Sequence, residues 1–116
     1  MSTAAETLSN AVFRTGPIPE VTIDWLAENR NNFRVIDCRE ADELVGPLGA
    51  LDGIEHVPLH TIPAHAPSWE REQPVVIICR SGGRSGQAAM FLERAGFSNV
   101  ASVAGGMLAW RERFGA

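Results

Sequence analysis

At 116 residues and 12.5 kDa the chain is long enough for one compact domain with its own core and too short for two. A hydrophobic fraction of 45% with 21% charged residues excludes a disordered or fibrous chain. The net charge of -4 excludes a surface built to coat nucleic acid. All ten basic residues are arginine, which also excludes lysine Schiff-base and Walker-lysine chemistry.

No apolar run approaches the ~20 residues that cross a bilayer. Residues 1–16 lack the basic start and apolar stretch of a secretory signal. The two cysteines, Cys38 and Cys79, supply neither a disulfide framework nor a four-thiolate metal site. These features predict a cytoplasmic protein with reduced thiols and no membrane or nucleic-acid partner.

Residues 1–17 are polar and alanine-rich and end in Gly16-Pro17; they are read as a flexible N-terminal arm, with the folded domain over residues 18–116. Thr22 caps a predicted helix from Ile23 to Asn29. Val35 to Cys38 reads as a strand entering a short helix, Glu40 to Val45, which Gly46-Pro47 stops. Ile54 to Val57 is a further short strand, closed by Pro58.

Val75-Val76-Ile77-Ile78 is an unbroken run of β-formers, as in a strand buried on both faces of a parallel sheet. After a glycine-containing turn, a helix starting near Ser85 places Ala88, Phe91, Leu92 and Ala95 on one face, and Gly96 ends it. Val100 to Val103 is the next strand. Strand, helix, strand at these lengths is a parallel crossover unit. The alternation predicts an α/β domain with a mainly parallel sheet of about five strands and helices on both faces. Chemistry in such sheets collects beyond the carboxyl ends of the strands, where both cysteines fall.

Between the buried strand and its helix lies Cys79-Arg80-Ser81-Gly82-Gly83-Arg84-Ser85. The two glycines permit a turn in which successive N–H groups face inward as an anion nest. The helix start adds its positive end, and Arg80 and Arg84 add full charges. A thiol at the mouth of this cradle ionises more readily than a free cysteine, with no paired histidine or carboxylate base required.

This loop after an apolar strand resembles the active-site loop of the rhodanese-type sulfurtransferases, particularly their single-domain members. The likeness extends to Asp37-Cys38-Arg39-Glu40, to the stretch Gly49 to Leu59, and to Gly105-Gly106 with Trp110, so that it covers Ile18 to Phe114. Ala50 departs from the pattern, which has histidine there, a difference read as one of packing. The resemblance implies a rhodanese-like domain in which Cys79 takes a sulfane sulfur as a persulfide and passes it on. The donor would be thiosulfate or glutathione persulfide; the acceptor would be cyanide, a thiol or a sulfur-acceptor protein. No cofactor or metal is implied. The loop from Arg80 through Ser81, Gly82, Gly83 and Arg84 to Ser85 would bind the anion, with Arg80 on the donor's sulfonate and Arg84 steadying the loop or pairing with a carboxylate.

Two other readings stand beside this one. Cysteine-dependent phosphatases and arsenate reductases share the fold, but the related phosphatase loop has five residues between cysteine and arginine, where this chain has four, and a histidine where this chain has Ile78. A non-catalytic binding module is the other, and such modules often lack the cysteine. The same phosphatases carry a cysteine at the position of Cys38, which makes Cys38 either a small core residue or a redox partner for Cys79. Asp37 and Arg39 are read as structural support for the strand-to-helix turn. His56, His60 and His65 lie in a proline-rich segment without the set of ligands a metal needs. Trp25, Trp69 and Trp110 are read as packing, with a docking role near the loop open to Trp69.

Overall fold

The computed structural model describes residues 3–115; the first two residues of the expected arm and the last of the expected domain lie outside them. Its centre is the strand that the β-branched run dictates, Val75–Ile78, in which all four residues are buried. In chain order the elements are α1 (Ala4–Ala11), β1 (Phe13–Thr15), β2 (Ile18–Val21), α2 (Ile23–Asn29), β3 (Arg34–Asp37), α3 (Ala41–Leu44), β4 (Glu55–His56), α4 (Ile62–His65), β5 (Val75–Ile78), α5 (Gly83–Arg94), β6 (Val100–Val103) and α6 (Gly106–Phe114). The sheet order is β1-β2-β6-β5-β3-β4. Every pairing is parallel except β1 with β2.

The sheet therefore has six strands, one more than expected, and the addition comes from the segment read as a flexible arm. Thr3 caps α1 in a reciprocal capping box with Glu6, and Leu8 is buried against the sheet. Burying one leucine contributes roughly 1.5–3 kcal/mol, enough to hold a short helix in place. β1 then pairs antiparallel with β2 at the sheet edge, with all three of its residues exposed.

Period-two alternation divides the core between the two faces. Val75, Ile77 and Cys79 join Ile36, Cys38 and the α5 residues Ala88, Ala89 and Leu92 on one face. Val76 and Ile78 join Leu8, Leu26, Met107 and Trp110 on the other. The buried stripe of α5 runs Ser85, Ala88, Ala89, Leu92, a helical i, i+3, i+4, i+7 series. Phe91 falls one position off that stripe and is exposed, contrary to the expected face.

Candidate active site

The site begins with strand register. In the parallel pair β3·β5, Asp37 lies opposite Ile78, so each strand runs out into a cysteine at the same level. The Cys38 amide bonds the Ile78 carbonyl at 3.0 Å, carrying the ladder to the edge of the site. Cys38 and Cys79 thus sit side by side at the carboxyl edge, and both thiols are free.

The chain after Cys79 turns through Gly82, whose φ of +105° suits glycine, and starts α5 at Gly83, two residues before the predicted start. Cys79 is 1% exposed, yet its sulfur faces the turn. The Gly82 N–H donates to Sγ at 3.1 Å, and the Ser85 Oγ lies 3.3 Å away. The Cys38 thiol as donor is the largest influence holding the Cys79 thiol down to about 4, against the opposing effect of burial; Ser85 and the amides of Ser85 and Gly82 add to it. Cys38 moves the other way, because its proton is held by the hydrogen bond to Cys79, and burial and the neighbouring anion both oppose its ionisation.

The loop is clamped from outside by α6. The Met107 amide donates to the Cys79 carbonyl at 2.8 Å and the Leu108 amide to the Arg80 carbonyl at 2.9 Å. Only a residue without a side chain allows so close an approach, since a Cβ on Gly106 would lie 2.4 Å from the Cys79 carbonyl oxygen. The glycine pair before Trp110 thus acts on the loop's backbone, a contact that sequence spacing does not announce.

The two loop arginines part company. Arg84 forms a forked pair with Glu43 of α3 at 2.6 and 2.8 Å, which fastens the first turn of α5 to the turn after β3. The guanidinium holds Glu43 down to about 2. Arg80 is exposed and lines a cavity of about 220 Å³ with Arg39, Glu43, Pro47 and Leu48. Beneath them, Asp37 and Arg39 are both buried and joined by 2.7–3.1 Å contacts, and Arg39 also donates to the Gly49 carbonyl at 2.7 Å. The Arg39 amide caps the Asp37 carboxylate at 3.1 Å. Ser81 and Gly83 complete the turn, with open space where a Gly83 side chain would stand.

Two residues missed in the sequence belong with these: Glu43, and Ser102 of β6. Ser102 is fully buried and its Oγ lies 2.7 Å from that of Ser85. Its signal was a lone hydroxyl in an otherwise apolar, wholly buried strand. Of the histidines, the His56 Nε2–H donates to the Arg39 carbonyl at 2.7 Å, and His60 is exposed near Glu40. Among the described residues no three His, Cys, Asp or Glu side chains are placed to hold a metal. Trp69 packs on Phe97 and under Arg34, which opens β3, at the amino edge of the sheet and away from the loop. No helix of the described residues is long and apolar enough to cross a membrane.

A mainly parallel sheet with an acidified cysteine at the turn from a central strand into a helix defines an α/β domain with a readily ionised thiol. A family model of the rhodanese-like domain matches residues 22–113, and the chain belongs to that family. A sulfurtransferase of Allochromatium vinosum is 34% identical over 76 residues, 66% of this chain and 69% of that one. The thiosulfate sulfurtransferase GlpE of Pseudomonas paraeruginosa is 31% identical over 81 residues, 70% of this chain and 72% of that one. Among solved structures, a rhodanese-related protein of Thermoplasma volcanium superposes with a TM-score of 0.74 at 29% identity, covering 82% of this chain and 92% of that one.

Proposed function

We propose that the protein is a sulfurtransferase whose nucleophile is the Cys79 thiolate. The observation that carries this reading is the sulfur itself, buried at the head of the loop and facing the Gly82 amide and the Ser85 hydroxyl. In the first step the thiolate attacks the outer sulfur of thiosulfate; the S–S bond of the donor breaks, sulfite leaves with the electron pair, and Cys79 carries a persulfide. In the second step a thiophilic acceptor, cyanide or a thiol, attacks the outer persulfide sulfur and Cys79 leaves as thiolate. The amides and hydroxyl that stabilise the thiolate also stabilise the persulfide anion.

Exposure of 1% at Cys79 favours slender donors: thiosulfate, or a low-molecular-weight persulfide such as glutathione persulfide presenting its terminal sulfur. A sulfur-acceptor protein would have to offer a thiol on an extended segment. Arg80, exposed beside the cavity, is suited to the anionic end of the donor. Arg84, Asp37 and Arg39 act on the loop's shape. The free thiols suit a reducing compartment, the cytoplasm in this reading.

Incubation with thiosulfate followed by intact mass should show the gain of one sulfur atom, lost again on adding cyanide with release of thiocyanate. Cys79→Ser should show neither. Turnover of an aryl phosphate or arsenate in place of sulfur uptake would overturn the proposal in favour of a phosphatase or reductase, and inertness toward all of them would favour a binding module.

Cys38 we propose as a redox partner, because strand register sets it beside Cys79. Peroxide would convert the Cys79 thiolate to a sulfenic acid, and the Cys38 thiol would condense with it to a disulfide, losing water. Mild peroxide should then remove two hydrogens from the wild-type mass and none from Cys38→Ser; identical behaviour of the two would end this assignment.

A further inference from the structure

We infer that Ser102 is a positioning residue for Cys79, orienting the Ser85 hydroxyl so that its hydrogen points at the sulfur. The inference rests on the proposal that Cys79 is the nucleophile, and it follows from counting hydrogens. Ser102 is fully buried, and its hydroxyl has one hydrogen-bond partner among the described residues, the Ser85 Oγ at 2.7 Å. A buried O–H left without an acceptor is costly, so the Ser102 hydrogen goes to Ser85. Ser85 in turn has one hydrogen and two remaining acceptors, the Cys79 Sγ and the Gly82 carbonyl, each at 3.3 Å. Between a neutral carbonyl and an anionic sulfur, the anion is the stronger acceptor. The chain of donation therefore runs from Ser102 to Ser85 to Cys79. Reversed, it would leave Ser102 with a hydrogen and nowhere to place it.

The fold places this relay opposite the other cysteine. β5 lies between β3 and β6, with Ile77 in register with Ser102. Cys38 approaches the sulfur from the β3 side, while Ser102, through Ser85 of α5, supports it from the β6 side. The titratable and charged groups around Cys79 are Cys38 and Asp37 at the end of β3, Arg84 of α5 with its Glu43 partner from α3, and Arg80 in the loop. β6 and the first turn of α6 add none, so the Ser102–Ser85 hydroxyl pair is the side-chain contact that reaches the sulfur from that side.

The test compares Ser102→Thr with Ser102→Val, two side chains of one shape that differ in the hydroxyl. For each, the rate of Cys79 alkylation by iodoacetamide is followed against pH at the peptide level, with circular dichroism to show that both chains fold. The midpoint in Ser102→Val should lie about one pH unit above that in Ser102→Thr, a tenfold tighter hold on the proton. On a Ser85→Ala background the two should coincide, because the link to the sulfur is gone. Coincident midpoints with Ser85 present, or an unchanged difference with Ser85 absent, would overturn the inference. Sulfur uptake from thiosulfate is read separately by mass, so failure of the sulfurtransferase proposal and failure of the relay leave different records.

Discussion

Gly106→Ala is the perturbation that most directly separates a clamped loop from a merely adjacent one. The new methyl would stand 2.4 Å from the Cys79 carbonyl oxygen and 2.7 Å from that of Arg80, both backbone atoms that no rotamer can move. Ordinary contact requires the loop and the start of α6 to separate by about 1 Å, and overpacking of this kind costs about 1–3 kcal/mol. Alanine at a φ of +56° adds about 1–2 kcal/mol. The Met107 and Leu108 amides lose their carbonyl partners in the same movement, so the expected destabilisation is about 3–5 kcal/mol in urea unfolding. The Gly82 amide should be dragged from the sulfur as well, and the alkylation midpoint of Cys79 should rise. Gly83→Ala is the control: nothing lies within 4 Å of its Cβ position and its φ is ordinary, so stability should stay level or rise by a few tenths of a kcal/mol. A Gly106→Ala chain within about 0.5 kcal/mol of wild type would refute the clamp.

Asp37→Asn should cost about 3–5 kcal/mol in urea unfolding, because it strands the Arg39 charge where both partners are 1% exposed; a loss under about 1 kcal/mol would show the pair to be dispensable. Leu8→Ala should cost about 2–3 kcal/mol, whereas a loosely held arm would give no change. Alkylation of Cys79 should stay at its plateau from neutral pH downward and fall with a midpoint of about 4, while a midpoint near that of a free thiol would remove the basis of the site. Since the folded value lies below the reference of 9.0, the thiolate's contribution to stability is complete above that reference and is lost as the pH falls through about 4.

What the sequence made legible was whatever its neighbours along the chain determine. The β-branched run at Val75–Ile78, the Thr22 cap and the glycine stop at Gly96 are local devices, and their elements fall where the residues place them. α1 and β1 were not legible, because a single buried leucine carries the helix and an exposed edge strand has no apolar alternation to read. α4 was hidden by Pro63, which reads as a breaker but is tolerated in a helix's first turn. The same division holds within the site. The cysteine, its glycines and its arginines lie along seven consecutive residues and were read together. Glu43, which sits 41 positions from Arg84, and Ser102, which sits 17 from Ser85, reach the loop only through the pairing of distant strands and helices.

Those distant partners decide what kind of anion the loop suits. Read along the chain, the loop carries two guanidinium groups, Arg80 for the donor's sulfonate and Arg84 for the loop itself or a carboxylate. Folded, Arg84 is neutralised by a forked carboxylate and Arg39 by Asp37, so among the described residues Arg80 is the cation that faces the cavity without a carboxylate partner. A tetrahedral phosphate dianion held for in-line transfer draws on fixed cationic clamps around its oxygens. The persulfide proposed on Cys79 would be a single negative charge, matched by an amide, a hydroxyl and a neighbouring thiol. On the proposed reading, the positive charge left free at Arg80 serves to attract a small anionic donor. The pairing of Glu43 with Arg84 therefore supports sulfur chemistry, as the loop's shortness by one residue does.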